Sequence, residues 1–227
     1  MTRLQELQQN LDEINSRIQN ACAAAGRDLS EVTLIAVSKT WPAADIRLLH
    51  ELGIRDFGES RDQEAFEKVA ALADLEIKWH FIGQVQTNKL NHIAQYAHYV
   101  HALDRAKAIT GLNEAAAKHN RQINALLQIS LDGDISRGGV AIESAMELSD
   151  LISSLPSLDF AGVMAVAPLN MEPDMAFSRL EEIARTIRNT YPAAKIVSAG
   201  MSNDLEAAVN NGATHLRIGS ALLGNRE

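Results

Sequence analysis

Apolar and polar positions change their period repeatedly along this chain, and the changes mark its elements. Leu4, Leu7, Leu11, Ile14 and Ile18 recur at spacings of three and four, which predicts one amphipathic helix over residues 2–25, closed by Gly26. Six apolar or β-branched residues then run unbroken from Val32 to Val37, the pattern of a strand buried on both faces, and the run ends in Ser38, Lys39 and Thr40. WPAADIRLLHELG follows, with Pro42 suited to the first turn of a helix and Gly53 to its cap. The alternation continues: strands are predicted near residues 54–57, 77–82, 98–102, 123–131, 158–165, 196–199 and 214–218. Helices fall near 61–73, 88–96, 104–119, 141–154, 173–190 and 203–211. Eight strands alternating with helices predict an α/β chain folded as a single-domain (β/α)8 TIM barrel over residues 1–227, with an extra N-terminal helix. A doubly wound sheet with fewer strands is the alternative.

Composition narrows the classes of function. The 227 residues carry a net charge of -8 and contain no basic cluster that would track a phosphate backbone, which argues against a nucleic-acid partner. The one cysteine, Cys22, falls on the apolar stripe of the first helix and reads as a buried reduced thiol. The start of the chain is helical and charged, and no apolar run reaches the length of a membrane span, so a cytoplasmic protein that makes no membrane contact is expected.

Chemistry is suggested by what stands where strands end. Lys39 lies at the carboxyl end of the first strand, where parallel barrels place their active residues; alone it reads slightly better as a solvated lysine opening a loop, because many strands end in Lys. Two Gly/Ser clusters follow the last two strands. One runs from Ser198 through Gly200, Met201 and Ser202 to Asn203; the other is Arg217, Ile218, Gly219, Ser220 and Ala221. Each alone is a turn and a cap, but after strands seven and eight of a barrel they occupy the usual phosphate site. Arg217 interrupts an otherwise apolar strand, and its buried guanidinium needs an acceptor, either a carboxylate or a ligand. An amine, a donor for a ring nitrogen and anion-binding loops on one face are together what pyridoxal 5′-phosphate requires.

These residues also carry a resemblance. AVSKT at 36–40, FGES at 57–60, WHFIGQVQTNK at 79–89, GVMAVAP at 162–168, GMSND at 200–204 and RIGSALLG at 217–224 resemble the YggS/PROSC family of pyridoxal phosphate homeostasis proteins over nearly the whole chain. The resemblance implies a barrel similar to that of alanine racemase, with pyridoxal phosphate held as a Schiff base on Lys39. It further implies that Ser202, Gly219 and Ser220 hold the phosphate, that Arg217 faces the pyridine nitrogen, and that Met201 and His80 line the pocket. His80 has a plainer reading as a satisfied core histidine. Ser60 stands where the family usually has Asn, Lys89 is followed by Leu90 and Asn91 where the family often carries Arg, and Ser136, Arg137, Gly138 and Gly139 replace its more frequent Ser-Lys-x-Gly. The loop from Asp132 to Gly139 is read as a mobile loop on the active face.

Binding the cofactor is not yet catalysis. Alanine racemases add a Tyr acid/base from a second domain, for which these 227 residues leave no room, and Tyr96, Tyr99 and Tyr191 read as packing residues. Arg rather than Asp at the pyridine nitrogen leaves that nitrogen unprotonated and weakens the ring as an electron sink. A monomeric cofactor carrier that maintains the pool of pyridoxal phosphate and supplies apoenzymes is therefore expected, rather than an enzyme. A small amino-acid racemase and a class I aldolase-like enzyme using Lys39 without cofactor are the alternatives.

Overall fold

The structure, a computed structural model, describes residues 1–134 and 138–224. Eight parallel strands close into a barrel in chain order: β1 (Thr33–Val37), β2 (Asp56–Glu59), β3 (Lys78–Phe81), β4 (Tyr99–Leu103), β5 (Ile123–Gln128), β6 (Leu158–Met164), β7 (Ile196–Ser198) and β8 (His215–Ile218). Pairing of β1 with β8, Ile35 opposite Arg217, completes the ring and excludes the open-sheet alternative. Around it lie α2 (Ala43–Glu51), α3 (Asp62–Ala71), α4 (Leu90–Tyr96), α5 (Ala106–Lys118), α6 (Ala145–Ser154), α7 (Pro173–Thr190), α8 (Leu205–Asn210) and the short α9 (Ser220–Leu223).

The helix ahead of the barrel, α1 (Arg3–Ala25), is set by its ends as well as its stripe. Thr2 and Gln5 form a reciprocal capping box, and Gly26 ends the helix at φ 63°. Leu7, Leu11, Ile14, Ile18 and Cys22 are buried, each Leu or Ile contributing about 1.5–3 kcal/mol through apolar burial. Its polar side chains fasten the last helix, α9. Asn10 Nδ2 donates to the Leu222 carbonyl at 2.9 Å, and Arg3 to the Leu223 carbonyl at 2.8 Å.

Strand boundaries follow the expected pattern except at β5, expected at 123–131 and ending at Gln128, and at β2, expected at 54–57 and found at Asp56–Glu59. Its two acidic ends are the reason. Asp56 accepts from His80 inside the barrel, and Glu59, fully buried on the other face, accepts from Ser38 and Lys68, so charged residues that read as loop belong to the strand. Pro42 is the N-cap of α2, one position ahead of its first turn. Side chains alternate across every strand, and the barrel interior takes Asp56 from β2, His80 from β3, Tyr99 and His101 from β4, Ser198 from β7 and Arg217 from β8. Among the described residues no helix is long and apolar enough to cross a membrane.

Candidate cofactor site

A cleft of about 600 Å³ opens at the carboxyl ends of β1, β7 and β8. Lys39, Trp41, Met201, Ser202, Arg217, Gly219 and Ser220 all line it. Six of the seven residues singled out as cofactor-binding are thus brought to one place from three separate stretches of chain.

Lys39 is half-buried in a turn that is fixed on both sides. Ser38, fully buried, donates from Oγ to Glu59 Oε1 at 2.8 Å, and its carbonyl accepts from Lys68 Nζ at 2.7 Å. Lys68 also meets Glu59 at 2.7 Å and Glu64 at 2.6 Å, and Glu64 accepts from the Thr40 backbone N–H. Thr40 takes φ 69°, a left-handed conformation that a β-branched residue adopts only when its surroundings impose it. Burial pushes the Glu59 carboxyl up, against the opposing pull of the Lys68 hydrogen bond. The turn is held by buried ionic and hydrogen-bonding contacts, which points the following side chain, Lys39, into the cleft.

Arg217 closes the floor. Its Nη1 donates to Ser198 Oγ at 2.7 Å and its Nη2 to the Ala165 carbonyl at 2.9 Å. Only 5 % exposed, it is pushed down to about 10 by burial and stays protonated at neutral pH. The loops after β7 and β8 face one another above it. Ser220 Oγ lies 3.3 Å from Ser202 Oγ, which also accepts from the Ala221 N–H at 3.2 Å. Gly200 makes the first loop feasible: its φ is 89°, and a Cβ there would lie 2.6 Å from Ala208 Cβ and 2.9 Å from Leu216 Cδ2. The amine, the fixed guanidinium and the paired hydroxyls form a donor set that fits a phosphorylated pyridine aldehyde.

Other expected site residues lie elsewhere. His80 is fully buried one layer below the cleft, bonded to Asp56 and His101 and stacked on Tyr99 with ring centroids 4.3 Å apart, so its expected contact with the pocket gives way to an interior one. Ser198, grouped in sequence with the phosphate loop, is also fully buried and serves Arg217 instead. Ser60 and Lys89 line a second cleft of about 620 Å³, where Arg61 and Lys89 are interspersed with Asp62, Glu64 and Glu67. Ser136 and Arg137 lie outside the described residues. Asp56, His101 and His215 were missed in sequence, although the signal was present: polar residues at alternate positions in strands otherwise apolar.

Comparison with known proteins agrees with the fold. The alanine racemase N-terminal domain family matches residues 4–227. Curated proteins named pyridoxal phosphate homeostasis protein are 40 % identical in Mycobacterium leprae, covering 98 % of this chain and 93 % of the relative, and 42 % identical in Pseudomonas aeruginosa, covering 96 % and 95 %. The chain belongs to the pyridoxal phosphate homeostasis protein family. A solved structure of similar fold, PipY of Synechococcus elongatus with pyridoxal phosphate bound, superposes with a TM-score of 0.81 at 32 % identity, over 92 % of this chain and all of that one. Alanine racemase of Clostridium difficile shares the fold at a TM-score of 0.73 and 15 % identity, over 98 % of this chain and 57 % of that one. The resemblance between this chain and a racemase is thus one of barrel architecture.

Proposed function

We propose that this homeostasis protein binds pyridoxal 5′-phosphate reversibly through Lys39 and acts as a cytoplasmic, monomeric carrier, limiting the free aldehyde and delivering it to apoenzymes, with residues 1–227 working as one binding unit. The observation that carries the reading is the convergence of Lys39, Arg217 and the paired Ser202 and Ser220 on one cleft. When bound, the cofactor supplies an aldehyde that condenses with a primary amine and releases water. Lys39 would offer that amine, Ser202, Gly219 and Ser220 would hold the phosphate, Met201 would line the pocket, and Arg217 would donate toward the ring nitrogen and so leave it unprotonated.

The carrier role, rather than amino-acid turnover, is supported by where the tyrosines lie. Tyr96 is buried at the end of α4, Tyr99 stacks inside the barrel on His80, and Tyr191 bonds to Asp150 beyond α7. Among the described residues no tyrosine lines the cleft that holds Lys39. Incubation of the loaded protein with a pyridoxal-dependent apoenzyme is expected to restore that enzyme's activity, with single-enantiomer alanine or serine left unracemised. Failure to donate any cofactor ends the delivery reading, and appearance of the other enantiomer replaces it with the racemase.

A further inference from the structure

The interior of a parallel barrel is ordinarily filled by layers of branched aliphatic side chains. Here a file of polar side chains crosses it. Arg217 Nη1 donates to Ser198 Oγ at 2.7 Å, and Ser198 Oγ lies 2.9 Å from His101 Nδ1. His101 Nε2 lies 2.9 Å from His80 Nδ1, and His80 Nε2 2.9 Å from Asp56 Oδ1. Ser198, His101 and His80 are fully buried; Asp56, first residue of β2, keeps 16 % of its side chain exposed at the end of the barrel away from the cleft.

With both rings neutral, the two ends dictate the direction of every link. A guanidinium can only donate and a carboxylate can only accept. Ser198, accepting from Arg217, gives its single hydroxyl hydrogen to His101 Nδ1. His101 then carries its own hydrogen on Nε2 and gives it to His80 Nδ1, and His80 gives its Nε2 hydrogen to Asp56. Each link has one hydrogen, each ring is neutral, and both rings are in the same tautomer. Burial favours those neutral rings: it holds both imidazoles below their ordinary value, on His80 against the opposing pull of Asp56, with Lys78 further opposing charge on His80 and with His80, Arg217 and His215 opposing it on His101. Tyr99 and His215 pack around the file, with ring centroids 4.3 and 6.2 Å from His80. The hydrogen bonds of the Arg217 side chain go to a hydroxyl and a carbonyl, both neutral, so the carboxylate that its file of hydrogen bonds leads to is Asp56.

We propose that Asp56 is a positioning residue for the cofactor: acting through His80, His101 and Ser198, its carboxylate sets the proton arrangement of the file and so the orientation of the Arg217 guanidinium that faces the cleft. The proposal rests on the reading of Arg217 as partner of the pyridine nitrogen.

Two measurements test it separately from that reading. Imidazole 15N NMR of the cofactor-free full-length protein at neutral pH is expected to show His80 and His101 each with hydrogen on Nε2 and a bare Nδ1. An Nδ1–H tautomer or an imidazolium at either ring overturns the proposal whether or not any cofactor binds. Visible spectra of wild type, Asp56→Asn and Asp56→Ala titrated with pyridoxal phosphate form the second arm. Asp56→Ala is expected to shift the absorption band and raise the half-saturating concentration about tenfold, with Asp56→Asn, which keeps an acceptor but no charge, between it and wild type. Spectra and affinities identical to wild type in both variants overturn the proposal while leaving the binding reading intact. A wild type that takes up no pyridoxal phosphate removes the binding reading and the cofactor role of Asp56 together.

Discussion

Glu59, Lys68 and Ser38 make the turn carrying Lys39 one of the costlier places in the chain to alter. Removing Lys68 leaves the fully buried Glu59 and the Ser38 carbonyl without their shared partner. Lys68→Met is therefore expected to lower unfolding stability by about 3–5 kcal/mol in urea titrations, and the double change Glu59→Met with Lys68→Met to recover much of that loss, because a buried pair removed whole leaves no stranded charge. A single-variant cost below about 1 kcal/mol would mean that the pair is solvated. Residues of this kind explain the limits of reading the site from sequence. Lys39, Arg217 and the loop serines stood out because strand ends and Gly/Ser clusters are local signals. Glu59, Lys68, Asp56 and His101 gain their place in the fold from partners as far as 9 to 97 positions away, as the Glu59–Lys68 and His101–Ser198 bonds show.

At the scale of elements, α1 does more than cover the barrel. Arg17 Nη2 donates to the Ser202 carbonyl at 3.0 Å while its guanidinium pairs with Glu206 at 2.6 Å, so the helix ahead of the barrel holds the loop after β7 from outside. Arg3 spans Asp45 at 2.8 Å and lies 4.7 Å over the Trp41 ring, which lines the cleft. Arg17→Ala is expected to change unfolding stability by less than about 1 kcal/mol, since the pair is surface-exposed, yet to weaken pyridoxal phosphate binding several-fold. An unchanged affinity would show that the loop keeps its form without the helix. Gly200→Ala is expected to cost about 1–3 kcal/mol in thermal or urea unfolding, through its positive φ and the contact with Ala208; a neutral result would contradict that crowding. The extra helix was legible from its spacing of three and four, but its fastening of β7 and β8 was not, because Arg17 and Asn10 read as solvated face until the fold brings Ser202 and Leu222 beneath them.

For the whole molecule, the polar interior implies a pH dependence. Burial pushes His215 down to about 4 and holds His80, His98 and His101 below their ordinary value. Between the unfolded value near 6.5 and the folded value near 4 the unfolded chain binds more protons, so this contribution to stability is complete above about pH 6.5 and is lost as pH falls toward 4. Melting temperature is expected to fall from pH 7 to pH 5, less steeply in His215→Asn; a flat or rising profile would contradict neutral buried rings. Barrel closure itself was readable in the eight alternating units, because apolar runs and helical spacing repeat throughout, whereas the polarity of the interior was hidden by alternation with outward apolar residues such as Trp79 and Phe81 in β3. The most direct measurement is the visible spectrum of the protein with added pyridoxal phosphate, wild type beside Lys39→Ala, followed by borohydride reduction and peptide mass mapping. A yellow wild type whose reduced adduct maps to Lys39, with a colourless variant, is the expected result. No adduct, or one on another lysine, would show that the cleft at the ends of β1, β7 and β8 does not hold the cofactor.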